Sequence, residues 1–280
     1  MTKIIDGQAL AKKYITELKT AFSRMPVKPL LVDVLVGHDP VSLSYVKIKA
    51  KTALRVGVEF EMMQLPEVCT TKHAVDEIST LKQRLPDAFG VIVQLPLPPH
   101  LSREEVVNAI DPRLDIDCIG QENTKSFYEG TARFVPPAAA AVMLMLESLD
   151  IDLKKKSIIV VGQGQLVGKP LTFMLEQMGL PVFSANRNTK DLPRVLRRFD
   201  IVVSATGQAR LIKGDMLKPG AIVIDAGTSE SEGAIVGDVE TSSVNGVASW
   251  LSPVPGGVGP LTVAMLYKNL LVACGVSRKS

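Results

Sequence analysis

Apolar positions along this chain repeat with two periods, and the switches between them mark its elements. Leu10, Ala11, Tyr14, Ile15 and Leu18 fall at helical spacing and predict a helix over 8–24. Pro29–Val36 is a short apolar run ended by Gly37, which predicts a strand, and 42–55 predicts a second helix closed by Gly57. A strand over 58–65, a helix over 71–85 and a buried strand over 90–95 that stops at Pro96 come next. Strand and helix alternate, so this half is α/β with a mostly parallel sheet. Residues 111–141 are irregular and polar before turning Ala-rich, as a crossing between domains would be. From Ser157 the rhythm restarts with strand Ile158–Val161, a glycine loop, a helix through Met178, and strands over 182–185, 201–205 and 221–225. A last apolar helix begins near Pro260 and is long enough to return to the first half. The expected organisation is a two-domain α/β protein with a cleft between the domains. Residues 1–135, completed by a helix over 261–280, form an N-terminal α/β domain, and 136–260 form the second.

Two loops punctuate this pattern. Gly162-Gln-Gly164-Gln165-Leu-Val-Gly168 follows a strand and opens a helix. A loop in that position offers backbone N–H groups to a pyrophosphate, and the helix dipole favours the negative charge. The second domain therefore reads as Rossmann-like, with Gly162, Gly164, Gln165, Gly168, Arg187, Thr206 and Gly207 as candidate cofactor-binding residues. An NAD-specific unit usually ends its second strand with an acid for the ribose hydroxyls. Ser184-Ala-Asn-Arg187-Asn-Thr189 has none, and the Arg187 fork suits a 2′-phosphate, which favours NADP over NAD. The alternative is that Arg187 is simply solvated beyond a strand end. Six of the eight residues from Pro253 to Pro260 are proline or glycine. That mixture gives a stiff backbone with little side chain over it, suited to a ligand seat or to a tight connection.

Composition then excludes several classes. Of 280 residues 46% are apolar and 22% charged, ordinary for a soluble globular chain, and the net charge of +3 leaves no nucleic-acid footprint. Cys69, Cys118 and Cys274 show no CxxC spacing, and His38, His73 and His100 no ligand spacing, so neither a disulfide scaffold nor a metal site is expected. No signal peptide is visible, and Lys268 and Asn269 interrupt the C-terminal apolar stretch too soon for a membrane span, so the cytoplasm is the expected compartment.

Candidate chemistry lies in the first half. Tyr45 and Lys49 are four apart on a predicted helix and share a face, as a snorkelling pair also would. Gln94 stands where a buried strand ends, at the carboxyl-end crevice that binds ligands in open α/β sheets; an amide there orients a lysine without adding charge. Asp111, Asp115 and Asp117 follow; one or two of them suit turn caps, and a carboxylate in the crevice could instead accept hydrogen bonds from an amino-heterocycle. Ile5-Asp-Gly-Gln-Ala-Leu-Ala11, Val36-Gly-His-Asp-Pro-Val-Ser42 through Lys49, and Val93-Gln-Leu-Pro-Leu-Pro98 resemble signatures of one family. So do Val161-Gly162 through Pro170, Val236-Gly-Asp-Val239 and Pro253–Pro260. That family is the bifunctional methylenetetrahydrofolate dehydrogenase/methenyltetrahydrofolate cyclohydrolase, and the resemblance runs in order over essentially the whole chain.

The resemblance implies tetrahydrofolate substrates, NADP and a homodimer, with no metal, nucleic acid or membrane. It implies a catalytic set of Lys49, Tyr45, Gln94 and Asp117, with Lys49 central, Tyr45 on the folate, Gln94 positioning Lys49 and Asp117 on the pterin. The backbone of Pro255, Gly256 and Gly257 would border the substrate and, with it, the nicotinamide. Three segments depart from the family pattern. Leu114-Asp-Ile-Asp-Cys118 lacks the usual lysine and glycine, Pro136-Pro-Ala-Ala139 lacks a cysteine and a hydroxyl, and Gln163 replaces an arginine. Activity with altered kinetics is therefore expected. The alternatives are another two-domain dehydrogenase, resembling shikimate dehydrogenase, and a non-enzymatic dinucleotide-binding regulator.

Overall fold

A computed structural model describes residues 1–86, 88–231 and 234–275. In chain order the first elements are β1 (Lys3–Ile4), α1 (Gly7–Phe22), β2 (Leu30–Val36), α2 (Pro40–Val56), β3 (Glu59–Leu65), α3 (Thr71–Ser79), α4 (Leu81–Arg84), β4 (Ala88–Val93), α5 (Arg103–Asn108), α6 (Gln121–Tyr128) and α7 (Pro137–Glu147). There follow β5 (Ile158–Val161), α8 (Gly168–Gln177), β6 (Val182–Ala185), α9 (Leu192–Leu196), β7 (Ile201–Ser204), β8 (Ile222–Asp225), β9 (Ser229–Ser231), β10 (Ala234–Val236), α10 (Thr241–Val244), β11 (Trp250–Ser252) and α11 (Val258–Ala273). They fall into two compact units, one of Met1–Lys12 with Ala138–Thr262 and the other of Lys13–Pro137 with Val263–Ser280. The predicted helix over 261–280 extends past the described residues at 276–280.

The unit containing Lys13–Pro137 is built on a parallel sheet in the order β3-β2-β4. One face of β2 puts Val32, Val34 and Val36 into a core with Ile78, Leu81, Val91 and Val106. Its other face carries Leu31, Asp33 and Leu35, all buried. Asp39 caps α2 by accepting from Ser42 N at 2.7 Å, and Gly57 ends it at φ +82°, a left-handed turn that a side chain would strain. The buried stripe of α2 is Ser42, Val46, Lys49, Thr52, Ala53 and Val56, so a lysine occupies a core position. From α11, Tyr267 donates to Lys49 O at 2.7 Å and Asn269 Nδ2 donates to Ile116 O and Val135 O, both at 2.8 Å. These bonds satisfy polar groups that burial would otherwise penalise.

The other unit is a six-stranded parallel sheet in the order β1-β11-β8-β7-β5-β6. From β5 the chain goes to β6 on one side and then crosses to β7 on the other, so the strand order reverses at β5. Such a switch point opens a crevice at the carboxyl ends of the strands.

Several elements differ from the sequence expectation. The helix over 71–85 is two helices, parted at Thr80, whose hydroxyl donates to Asp76 O at 3.0 Å and Glu77 O at 3.2 Å. Within the stretch read as irregular lies α6, polar on every side except Phe127, so no apolar period announces it. The two-residue β1 and three-residue β11 are too short to show a period of their own. No helix among the described residues is long and apolar enough to cross a membrane.

Candidate active site

Lys49 is a core lysine, 5% exposed, one turn after the partly buried Tyr45 on α2. Gln94 follows β4, and its Oε1 accepts from Lys49 Nζ at 2.9 Å while its Nε2 donates to Leu95 O at 2.8 Å. The second bond settles which end of the amide meets the lysine. Beside Gln94 a charged group also meets Lys49: Asp33 Oδ2 lies 2.6 Å from Nζ, and Asp33 is fully buried. Burial pushes the Asp33 carboxyl above the usual carboxylate range, and Lys49 opposes that rise. Sequence reasoning passed over Asp33. The signal was a lone acid in the middle of an otherwise apolar strand run, a placement that is costly unless a cation meets it.

The three acids that follow separate by environment. Asp111 accepts from Arg113 N at 2.9 Å and pairs with the Arg113 guanidinium, which holds its carboxyl low. Asp115 accepts from Ile119 N, Gly120 N and Asn123 Nδ2 at 3.2, 2.9 and 3.1 Å, and so closes a turn. That leaves Asp117, whose carboxyl burial pushes up to about 6, with Asp115 adding to the rise and Lys49 opposing it. The altered positions have local roles. Leu114 joins the apolar core, and Cys118 takes φ +57°, the left-handed region that would suit a glycine. Its thiol is pushed up to about 12 by burial, hence inert near neutral pH. Pro137 begins α7, where its missing N–H costs nothing, and Ala139 is fully buried.

At the other unit's switch point, Gly162 ends β5 at φ +88°. A Cβ on Gly168 would overlap Gly162 O, so the two glycines let the loop close on itself. α8 begins there with no side-chain cap, which leaves backbone donors at its N-terminus; Gly164 and Gln165 are exposed beside it. Gln163 folds inward, donating to Thr172 Oγ1 at 3.2 Å. Arg187 is exposed on a turn after β6, closed by Thr189 N donating to Asn186 O at 2.9 Å. Thr206 and Gly207 follow β7. Buried Asp238 accepts from Thr206 N at 2.6 Å and Ser204 Oγ at 2.8 Å, which fixes that loop. Asp225 accepts from the backbone of Gly227, Asp238 and Val239 at 3.0, 3.1 and 2.9 Å. Its carboxyl is pushed up to about 6 by burial. Asp225 and Asp238 were not singled out from the sequence, although Asp238 belongs to the quoted Val236–Val239 motif.

In the proline-glycine loop the Val254–Pro255 bond is cis, Gly256 has φ +103°, and Pro260 falls in the first turn of α11. A Cβ on Gly257 would overlap Ser252 Oγ, and one on Gly7 would overlap Gly257 O. The loop is therefore packed against the start of α1 through glycine at both ends. Among the described residues no three His, Cys, Asp or Glu side chains gather as a metal would need.

A parallel sheet with a glycine loop at its switch point, joined in one chain to an α/β unit that buries a lysine, defines a dinucleotide-binding protein of the dehydrogenase class. Residues 5–117 match the tetrahydrofolate dehydrogenase/cyclohydrolase catalytic domain, and 136–278 match that family's NAD(P)-binding domain. The chain belongs to this family. It is 38% identical over 282 residues to bifunctional protein FolD 2 of Desulfitobacterium hafniense, covering 100% of this chain and 99% of that protein. It superposes with TM-score 0.91 and 33% identity on the Trypanosoma brucei methylenetetrahydrofolate dehydrogenase-cyclohydrolase, solved with NADP cofactor and inhibitor, covering 100% and 99% of the two chains. A shikimate dehydrogenase of Thermus thermophilus, at 15% identity and TM-score 0.54 over 88% of this chain and 94% of that one, shares the fold alone.

Proposed function

We propose that the protein oxidises 5,10-methylenetetrahydrofolate with NADP and hydrolyses the 5,10-methenyl product to 10-formyltetrahydrofolate. The observation that carries this reading is the buried Lys49 held by Gln94, in a chain of this family. A folate nitrogen lone pair stabilises the cation left when the methylene carbon loses hydride, so the protein supplies orientation more than bond-making groups. NADP, when bound, would supply the acceptor for that hydride. The closed Gly162–Gly168 loop and the uncapped start of α8 would hold its phosphates, with Gly164, Gln165, Thr206 and Gly207 as the residues lining it. Hydrolysis adds water to the methenyl carbon as the C=N π pair returns to nitrogen, and sends one proton to an acceptor, for which Lys49 in its amine form serves; the C–N5 bond then breaks, and N5 takes the remaining carbinol proton to leave the 10-formyl group. Tyr45 contacts the folate, Gln94 positions Lys49, Asp117 binds the pterin, and Pro255, Gly256 and Gly257 border the substrate. Purified protein given methylenetetrahydrofolate and NADP should produce NADPH and methenyltetrahydrofolate absorbance; no absorbance change rejects the reading. The same family resemblance supports a cytoplasmic homodimer, and light scattering reports the oligomeric state.

Two further results are expected. Arg187→Ser should raise the KM for NADP by about ten- to a hundredfold, the worth of a charged hydrogen bond, and leave the KM for NAD unchanged. An equal change for both cofactors removes Arg187 from the 2′-phosphate. Asp117 accepts hydrogen bonds from the pterin through both of its oxygens only when ionised. With its carboxyl raised to about 6, the KM for folate should climb as pH falls through that value. Asp117→Asn should be weak at every pH, with that limb gone; a limb that persists belongs to another group.

A further inference from the structure

The Lys49 site contains a charged group that the folate reading leaves without a role. β2 is an apolar strand in the middle of its sheet, yet its central residue is Asp33, with no solvent exposure. Its Oδ2 meets Lys49 Nζ at 2.6 Å, and its Oδ1 has no partner among the described residues. A carboxylate placed there is expensive in an apolar core, and it is tolerable because an ammonium stands against it. Gln94 Oε1 accepts from Nζ at 2.9 Å, and Asp33 Oδ2 faces the same nitrogen as its ion-pair partner. Around this nitrogen, Tyr45 lies one turn earlier on α2, and Tyr267 from α11 commits its hydroxyl to Lys49 O at 2.7 Å. Asp117 feels both charges, drawn down by Lys49 and pushed up by Asp33 and Asp115. Of these groups, Asp33 is the carboxylate in contact with Nζ.

Resting on the folate reading, we propose that Asp33 is a positioning residue that holds Lys49 Nζ in a buried ion pair and so weights the site towards hydride transfer over hydrolysis. The two steps ask different things of Lys49. In the first, the C–H bond breaks, its electron pair leaves with the hydride for the nicotinamide, and a folate nitrogen lone pair closes onto the carbon. No base is needed, but a cation forms, and the Asp33 carboxylate offsets the positive charge already present on Lys49. In the second, the water oxygen bonds to the methenyl carbon while the C=N π pair returns to nitrogen, and one water proton passes to a base; the C–N5 bond then breaks, and N5 takes the other proton. Lys49 is that base only as an amine, and a carboxylate in contact disfavours the amine. The methenyl cation is then released faster than it is hydrolysed.

The wild-type protein, given methylenetetrahydrofolate and NADP near neutral pH, should accumulate methenyltetrahydrofolate, followed by its absorbance, ahead of 10-formyltetrahydrofolate. In Asp33→Asn and Asp33→Val the kcat for hydrolysis of added methenyltetrahydrofolate should rise by about tenfold, with its pH profile moved to more acidic values and its KM unchanged. The kcat for hydride transfer should fall in both. The valine variant places an apolar strand former at a buried strand position and serves where the asparagine variant does not fold. The proposal is overturned by a wild type that never accumulates methenyltetrahydrofolate, by a pair of variants in which both activities fall in proportion, or by one in which hydrolysis falls alone. A wild type that turns over neither folate rejects the folate reading itself, whereas normal turnover with an unchanged ratio in the variants rejects only the role of Asp33.

Discussion

Lys49→Met is expected to abolish hydrolysis of methenyltetrahydrofolate, by about 10²- to 10⁴-fold, while hydride transfer to NADP stays measurable. Methionine keeps an unbranched apolar stem of similar reach and removes the nitrogen, so loss of packing is small. The chemical loss falls on the step that needs a proton acceptor. The same substitution also strands Asp33, fully buried and 2.6 Å from the missing ammonium. Removing one partner of a buried ion pair typically costs about 3–5 kcal/mol, so the urea midpoint should drop sharply at neutral pH. The two effects can be separated. Adding Asp33→Val replaces the ion pair with an apolar pair, a change that is often neutral or stabilising. The double variant should therefore recover its midpoint and remain unable to hydrolyse the methenyl folate. Hydrolysis at the wild-type rate in either variant would show that another group takes the proton. A single variant as stable as wild type would mean that Asp33 does not depend on Lys49 for its charge.

How much of this was legible in the sequence follows from where each signal resides. The alternation of strand and helix is local, so β2 through β4 and β5 through β8 are visible as apolar runs, and Gly57 announces the end of α2. The glycine loop was readable because a strand precedes it and a helix follows it. Lys49 and Gln94, 45 positions apart, could be named from motifs, but their 2.9 Å contact depends on the pairing of β2 with β4. Asp33 was invisible as a partner for the same reason. Its neighbours in sequence are apolar, and nothing local says which residue of α2 lies over the middle strand. Asp238 is similar, since its bond to Thr206 N spans 32 positions. The short strands β1 and β11 owe their existence to the sheet beside them, and α6 to the burial of Phe127. Changes at Leu114, Cys118 and Pro137 looked like losses against the family pattern; in the fold each has a local packing or backbone role.

Gly168→Ala is expected to remove hydride transfer and leave hydrolysis of supplied methenyltetrahydrofolate largely intact. The added Cβ would overlap the backbone carbonyl of Gly162 and crowd Gln163 Cα at 3.1 Å, and backbone cannot swing aside as a flexible side chain would. The turn must open, which moves the donors at the start of α8 away from the place where the pyrophosphate is held. A shift of about 1 Å in such a seat costs on the order of 10²-fold, so the KM for NADP should rise by that much or kcat fall with it. Lys49, Gln94 and Asp117 belong to the other compact unit, and an assay that omits NADP reads them alone. Gly164→Ala is the control. A Cβ there meets nothing within 4 Å, so the loop keeps its shape, and any loss of NADP affinity reports direct contact with the cofactor. Normal NADP kinetics in Gly168→Ala would dismiss the loop as the phosphate seat. Loss of hydrolysis in step with hydride transfer, in a variant whose circular dichroism matches wild type, would show that the lysine site depends on this loop.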